Sequence, residues 1–428
     1  MALRLASLLL LLLLLLLAAP ARAADAWRLL DTLKLDPLPA GRYTQTRLAA
    51  DKLVTAVWNG DAGLRLARCA DATCSAAQPP HTVAGTDPNP RFIRMEMDGS
   101  LPVMAYGAAN DTEAHLTRCH DPLCTTSTTV VLAKSERVRH CDLLLADADG
   151  EAIVTVGLSD KDASESSNLV IVTAQRNGSV SKPVIIATNP KPFAVNDTTN
   201  LPTGGLEMPH IIPGLTPEDA SHVVYWDVAY QCLKLVFEAT GPEPRTVVAA
   251  KGFDIFGAVS SPGGWARAVR TPGGGPGSIV SHTITIAYFD LPAGVLAVLT
   301  CDEQYQDCTK PKKIDLVGHK DVSDFGAGAF PEFRQLPGMP GPMLAYFSEV
   351  GTGAQEQGLL KLMSCSSPNC TTASVATLAV GHKGFGRDCS LEMVGDEARP
   401  LLLVSFLDLQ GKDDPSSMAA RLAVLGRE

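Results

Sequence analysis

Pro102-Val-Met-Ala-Tyr106 leads, through a short polar link, to His115-Leu-Thr-Arg-Cys119, and the recurrence of this pair of runs decides the fold. Upstream lie the apolar stretch Phe92 to Met97 and the turn Asp98-Gly99; downstream, Cys119 to Cys124 turns the chain into Thr128 to Leu132. Each run alternates apolar and polar residues with a period of two, and Gly, Pro and Asp mark the joins. Four short antiparallel strands in chain order are the expectation.

The unit repeats. Leu53-Val-Thr-Ala-Val-Trp58 leads to Leu64-Arg-Leu-Ala-Arg-Cys69, and Pro342-Met-Leu-Ala-Tyr346 leads to Leu360-Lys-Leu-Met-Ser-Cys365. Weaker copies pair Ile153 to Val156 with Asn168 to Thr173, Val223 to Trp226 with Cys232 to Val236, Thr283 to Tyr288 with Leu296 to Cys301, and Pro400 to Phe406 with Arg421 to Leu425. The second-strand anchors Trp58, Tyr106, Val156, Trp226, Tyr288, Tyr346 and Val404 are 48, 50, 70, 62, 58 and 58 residues apart. That period fits one four-stranded blade per unit. No amphipathic helix interrupts the pattern.

The last unit ends at its third strand, while Trp27-Arg-Leu-Leu-Asp-Thr-Leu33 reads as a fourth strand with no blade of its own. The sequence therefore predicts an all-β, seven-bladed β-propeller of four-stranded antiparallel blades, closed by the N-terminal strand. Ring closure removes the open sheet edges that otherwise invite aggregation.

Arg4, the ten leucines Leu8 to Leu17 and Ala21-Arg22-Ala23 read as a secretory signal peptide over residues 1–23, leaving 24–428 as one propeller domain. The apolar run is short for a bilayer span, and no later stretch reaches that length, so no transmembrane span is expected in the mature chain. Export predicts oxidised cysteines. Cys69/Cys74, Cys119/Cys124 and Cys365/Cys370 follow C-x4-C and Cys301/Cys308 follows C-x6-C, each pair flanking a turn between third and outer strands. These are read as disulfides; zinc is disfavoured because no histidine spacing accompanies them, and no metal or cofactor is expected. Cys141 and Cys389 begin the inner strands of blades three and seven, where a bond would have to cross the channel; the alternative is two small buried side chains. Cys232 stands alone. Asn110, Asn177 and Asn196 head glycosylation sequons; Asn369 heads a fourth, the least expected to be used because its central residue is Cys370.

The 428 residues carry 36 Lys+Arg against 46 Asp+Glu, a net charge of −10 that becomes more acidic once Arg4 and Arg22 leave with the signal. Such a chain has no field for phosphate backbones, so nucleic acid is not an expected partner.

The Asp-Gly turns followed by Pro-Val-Met-Ala-Tyr106, and the Leu-x-Leu-x-x-Cys strands, resemble the repeats of the sialidase-like (BNR-type) propeller superfamily. The resemblance spans nearly all of the mature chain and implies a fold that carries sialidases and other glycosidases alongside secreted repeat proteins. The Ser-x-Asp-x-Gly-x-Thr-Trp box of sialidases is absent, and no arginine triad with a Tyr/Glu pair falls on matching positions, so no catalytic residue is carried over.

Propellers place ligands at the mouth of the channel, on the face where one blade's outer strand crosses to the next blade's inner strand. The first polar positions of the inner strands read as Gln45, Arg91, Asp142, His210, Ala266, Glu332 and Ser390. Guanidinium and carboxylate groups around a concavity suit a polar ligand, an extracellular glycan or protein. A secreted binding module is the first reading; a sialidase- or glycosidase-like hydrolase, with Asp142 and Glu332 as acid and base, is the alternative, and a structural extracellular component the third.

Overall fold

The computed structural model describes residues 27–36, 43–146, 150–159, 167–189, 206–213, 221–227, 232–241, 244–250, 262–272, 282–290, 294–303, 307–316, 332–351, 357–382, 385, 387–396, 399–408 and 419–427. These form seven separate antiparallel sheets, each built from strands consecutive in the chain except at the closing seam. Blade two shows the plan, with Arg91–Asp98 innermost, then Leu101–Gly107, Glu113–Cys119 and Ser127–Lys134 outermost. In blade five two short outer strands, Asp307–Cys308 and Lys312–Leu316, share the edge of Val295–Asp302.

Closure runs as the repeat count requires. Trp27–Lys34 lies antiparallel on Ala419–Arg427, from Trp27 opposite Arg427 to Lys34 opposite Arg421, and becomes the outer strand of blade seven. Leu35 N donates to Ala420 O at 3.0 Å, and Asp36 then accepts from Arg65 of blade one at 3.1 Å. Trp27 packs into the apolar seam between blades six and seven, and Leu33 and Leu35 into that between seven and one.

Every apolar cluster straddles a seam between neighbouring blades. The strand registers show why one bulky residue recurs per blade. The second-strand partners of Gln45, Arg94, Asp142, His210, Arg267, Glu332 and Ser390 are Val57, Ala105, Thr155, Val224, Ala287, Ala345 and Ser405. The residue after each is Trp58, Tyr106, Val156, Tyr225, Tyr288, Tyr346 or Phe406, all buried and all in clusters shared with the preceding blade. In blade four the equivalent anchor is therefore Tyr225, and Trp226 faces blade five; in blade seven it is Phe406, two residues beyond Val404. Truncating such a ring to alanine costs about 3–5 kcal/mol.

All four cysteine pairs are disulfides, and Cys141, Cys232 and Cys389 are buried and belong to none of them. Cys141 packs in the blade two–three seam and Cys389 in the six–seven seam, so they do not bridge the channel. Burial pushes the Cys141 thiol up to about 12 and Cys232 to about 11, which keeps both as inert thiols. In the C-x4-C turns the second cysteine takes a left-handed backbone, with φ of 54° at Cys74, 57° at Cys124 and 49° at Cys370. The residue two after the first cysteine caps the turn: Asp71 accepts from the amides of Thr73 and Ser75, and Asp121 from those of Leu123, Thr125 and Thr126. These Asx turns explain the Asp, Ser and Thr that surround the cysteines.

Candidate functional site: the channel and its mouth

Among the described residues, the inner strands of every blade but the sixth begin with a backbone irregularity. Register shifts separate Arg91 from Arg94, Val138 from Cys141, Glu207 from His210, Gly264 from Arg267 and Arg387 from Ser390. Tyr43, Phe92, Met208, Trp265 and Asp388, each two residues before a channel position, have φ of 67°, 56°, 55°, 49° and 53°. Bulky side chains rarely adopt that conformation, and its recurrence marks a designed bulge that re-aims the strand.

The bulge decides which residues converge. Gln45, Asp142, His210, Glu332 and Ser390 occupy equivalent places, but in blades two and five those places belong to Arg94 and Arg267, not Arg91 and Ala266. Arg91 lies on the other side of the bulge, with a side chain 46% exposed and its Nη1 2.7 Å from Asp111 Oδ2. Ala266 is fully buried against blade four.

Three layers result. At the mouth, the bulge residues form a largely aromatic collar. Tyr43 N donates to Asp388 Oδ2 at 2.8 Å, the Tyr43 and Phe92 rings are 5.5 Å apart, Phe92 and His140 are 4.3 Å apart, and Trp265 N approaches the Met208 sulfur at 3.1 Å. The blade-six member by spacing, Phe330, lies outside the described residues, as do most of the crossing loops expected over this face. Tyr43, Met208 and Trp265 are buried, while Phe92 and His140 are half-exposed. Among the described collar residues the open ones are therefore at blades two and three, beside Arg91.

Below the collar lies the polar ring. Arg94 Nε is 2.9 Å from Asp142 Oδ1, and Asp142 Oδ2 accepts from His210 Nδ1 at 2.7 Å and from the Ile211 amide at 2.8 Å. His210 Nε2 lies 3.0 Å from Ala268 O, so both ring nitrogens face acceptors, a geometry that the imidazolium form satisfies at both ends. Burial alone would raise the Asp142 carboxyl, but His210, Arg94 and the Ile211 amide outweigh it and hold it below the usual carboxylate range. Ser390 Oγ accepts from Thr46 N at 3.1 Å. Gln45 Nε2 donates to Thr44 O, while Gln45 Oε1 is buried with no partner among the described residues.

A deeper layer was not anticipated. Arg47 bridges the channel, with Nη2 2.9 Å from Glu96 Oε1 of blade two and 3.1 Å from Glu332 Oε1 of blade six. Burial would lower its guanidinium, but Glu332 and Glu96 more than offset this and keep it charged. Arg334 Nη1 donates to Glu392 Oε2 at 2.6 Å. Arg47, Glu96, Arg334 and Glu392 each stand two residues after a ring position, in Gln45-x-Arg, Arg94-x-Glu, Glu332-x-Arg and Ser390-x-Glu. That period-two pattern was readable and missed. Blades three to five carry Leu144, Ile212 and Val269 there, so the channel is ionic on one side and apolar on the other.

Chemically the ring and the layer beneath it are built on ion pairs. Each of their carboxylates has a guanidinium partner within 3.1 Å, and Asp142 has the His210 ring as well. Among the described residues no group of three or more His, Cys, Asp or Glu is placed to hold a metal, and no helix is long and apolar enough to cross a membrane.

No protein-family model matches the chain, and no curated protein matches it. Solved structures do. An oligogalacturonate lyase in complex with manganese is 11% identical, covers 94% of this chain and 98% of its own, and has a TM-score of 0.50. An α-L-arabinofuranosidase from Fusarium graminearum, solved with an iminosugar inhibitor, is 11% identical over 93% of this chain and 98% of its own, with a TM-score of 0.49. A mutant Trypanosoma rangeli sialidase displaying trans-sialidase activity is 10% identical over 94% of this chain and 60% of its own, at a TM-score of 0.47. Identities this low speak for the propeller scaffold alone.

Proposed function

We propose that this protein is an exported β-propeller that binds an extracellular glycan or protein ligand at the channel mouth. The carrying observation is the pairing of a half-open aromatic collar with a polar ring whose charges are already matched. Aromatic faces with a few polar groups at their edge are what a shallow polar-ligand site needs. Phe92, His140 and the exposed Arg91 supply them, with Asp142, His210, Glu332, Ser390 and Gln45 holding the wall beneath. Four disulfides fit an oxidising compartment, and the leader over residues 1–23, which lies outside the described residues, supplies the route to it. Asn110 and Asn177, both exposed, are glycan acceptors on this reading, as is Asn196, which lies outside the described residues.

Hydrolysis of a glycoside is the second reading, favoured by the two buried carboxylates Asp142 and Glu332 on one ring. It requires one of them to be protonated at the working pH. Both oxygens of Asp142 are already engaged, Oδ1 by Arg94 and Oδ2 by His210 and the Ile211 amide, which favours binding. The test is retention on glycan and protein arrays: the intact chain binds, and Arg91→Ala weakens binding at least tenfold while melting is unchanged. Turnover of a glycoside panel that disappears in Glu332→Gln would overturn the binding reading.

A further inference from the structure

Away from the channel, a cleft of ≈ 380 Å³ opens where blade five meets the disulfide turn of blade six. Blade five lines it with Thr283, Thr300, Asp302, Asp307, Cys308 and Thr309; blade six contributes Asn369 alone. Asn369 heads the sequon Asn369-Cys370-Thr371, the one that sequence reasoning ranked last.

The turn presents this residue in a defined pose. In the turns of blades one and two the equivalent positions are Thr73 and Leu123, and Asp71 or Asp121 caps the loop. In blade six Ser367 replaces the aspartate: its Oγ accepts from Thr371 N at 3.1 Å and donates to Asn369 Oδ1 at 2.9 Å. Asn369 Nδ2 is left without a hydrogen bond among the described residues. The turn is also fastened to blade five on both sides of the asparagine, by Thr285 Oγ1 donating to Pro368 O at 3.1 Å and Lys312 Nζ donating to Thr371 O at 3.3 Å. An exposed amide nitrogen is thus fixed at the border of a cleft lined with hydroxyl and carboxylate groups.

We infer that Asn369 is an N-glycosylation site and that the first sugar of its glycan seats in the cleft between blades five and six. The cleft lies within the roughly 300–1,000 Å³ range of small-ligand sites. Its threonine hydroxyls and aspartate carboxylates match the hydroxyls and acetamido group of an N-acetylhexosamine. In the attachment step Asn369 Nδ2 forms a bond to C1 of an oligosaccharide carried on a polyprenyl pyrophosphate. The C1–O bond to pyrophosphate breaks, the lipid pyrophosphate leaves, and the amide gives up one proton. Cys370 is then free to close onto Cys365. The seated sugar would join two neighbouring blades at their outer ends, beside the Thr285 and Lys312 contacts and the bonds of Asp315 to Tyr346 and Lys361.

The experiment is secretion of the full chain from a cell that attaches N-linked glycans, followed by peptide mapping after amidase release in heavy-oxygen water. The expected result is the isotope-marked aspartate at position 369, with release at least tenfold slower from native than from denatured protein. Asn110 and Asn177, whose side chains close local turns onto Thr112 and Ser179, are the internal controls. An unmodified Asn369 beside a modified Asn110 or Asn177 overturns the site. Equal release rates at position 369 in native and denatured protein overturn the seating. Thr371→Val removes the sequon, and Asn369→Gln the acceptor; each must abolish the mark while the control sites keep theirs.

Discussion

The inner and outer ends of the blades solve the same problem by different means. At the channel, blades are joined directly by buried charges: Arg47 of blade one touches blades two and six, and Arg94, Asp142 and His210 link blades two, three and four. At the rim, the cysteine turns close loops within one blade, and backbone pairing joins the chain's two ends at the N-terminal strand of blade seven. Inner contacts therefore couple blades, while outer staples stiffen each blade by itself. A ring is held by its couplings, so the two kinds of contact should fail in different ways.

The closing strand is the outer element that does couple distant sequence, and its loss has the largest expected effect. Deleting residues 24–33 exposes the edge of Ala419–Arg427 and opens the seams that Trp27, Leu29 and Leu33 fill. The lost pairing and burial are comparable with the ~5–15 kcal/mol that keeps an ordinary domain folded. Calorimetry should find no cooperative transition in the deleted chain. A melt that keeps its midpoint would show that the ring does not need this strand.

At the inner end, Asp142→Asn should cost about 3–5 kcal/mol, because Arg94 and His210 would be left buried with no anion between them. The sign with pH follows from the depressed carboxyl of Asp142. Its contribution is complete above the unfolded value of about 3.9 and is lost as pH falls through the lower folded value. Denaturant midpoints measured for the pair of proteins should therefore differ most at neutral pH and converge in acid. A constant gap down to low pH would mean that Asp142 acts by packing.

These couplings also mark what the sequence made legible. Seven units, their four strands, the closing strand and four disulfides were readable because each leaves a local period or a fixed spacing. Arg91 and Ala266 were placed on the ring because alternation counts residues evenly. A bulge inserts residues that alternation cannot see, so the ring passes to Arg94 and Arg267. The same slip of register chose Trp226 over Tyr225 and Val404 over Phe406. Arg47 was readable as a charge but not as a bridge, since Glu96 and Glu332 come from blades on either side of blade one.

Removing one rim staple tests the other half of the comparison. Cys119→Ser with Cys124→Ser opens a turn whose short loop is worth about 2 kcal/mol by chain entropy. The Asp121 cap, held by Leu123, Thr125 and Thr126, remains to order the turn. Melting should fall by a few degrees with one cooperative transition intact. Loss of cooperativity would show that this staple couples blades after all.

The smallest effect is expected from a contact that has inner chemistry in a more exposed place. Glu303 of blade five meets His222 Nε2 of blade four at 3.1 Å and Arg270 at 2.6 and 2.9 Å, with its own side chain 20% exposed. His222 Nδ1 accepts from the Glu238 amide at 2.8 Å, so its single proton sits on Nε2 and points at the carboxylate. Burial would raise the Glu303 carboxyl, but the hydrogen bonds from His222 and Arg270 bring it down to about 2 from 4.5. The stability it supplies is whole above pH 4.5 and is lost as pH falls from there toward 2. Glu303→Gln keeps the shape and removes the charge, so its acid limb should be flatter than that of the parent, with a loss of about 1 kcal/mol at neutral pH. Parallel acid limbs would show that the charge of Glu303 adds nothing to the blade four–five seam.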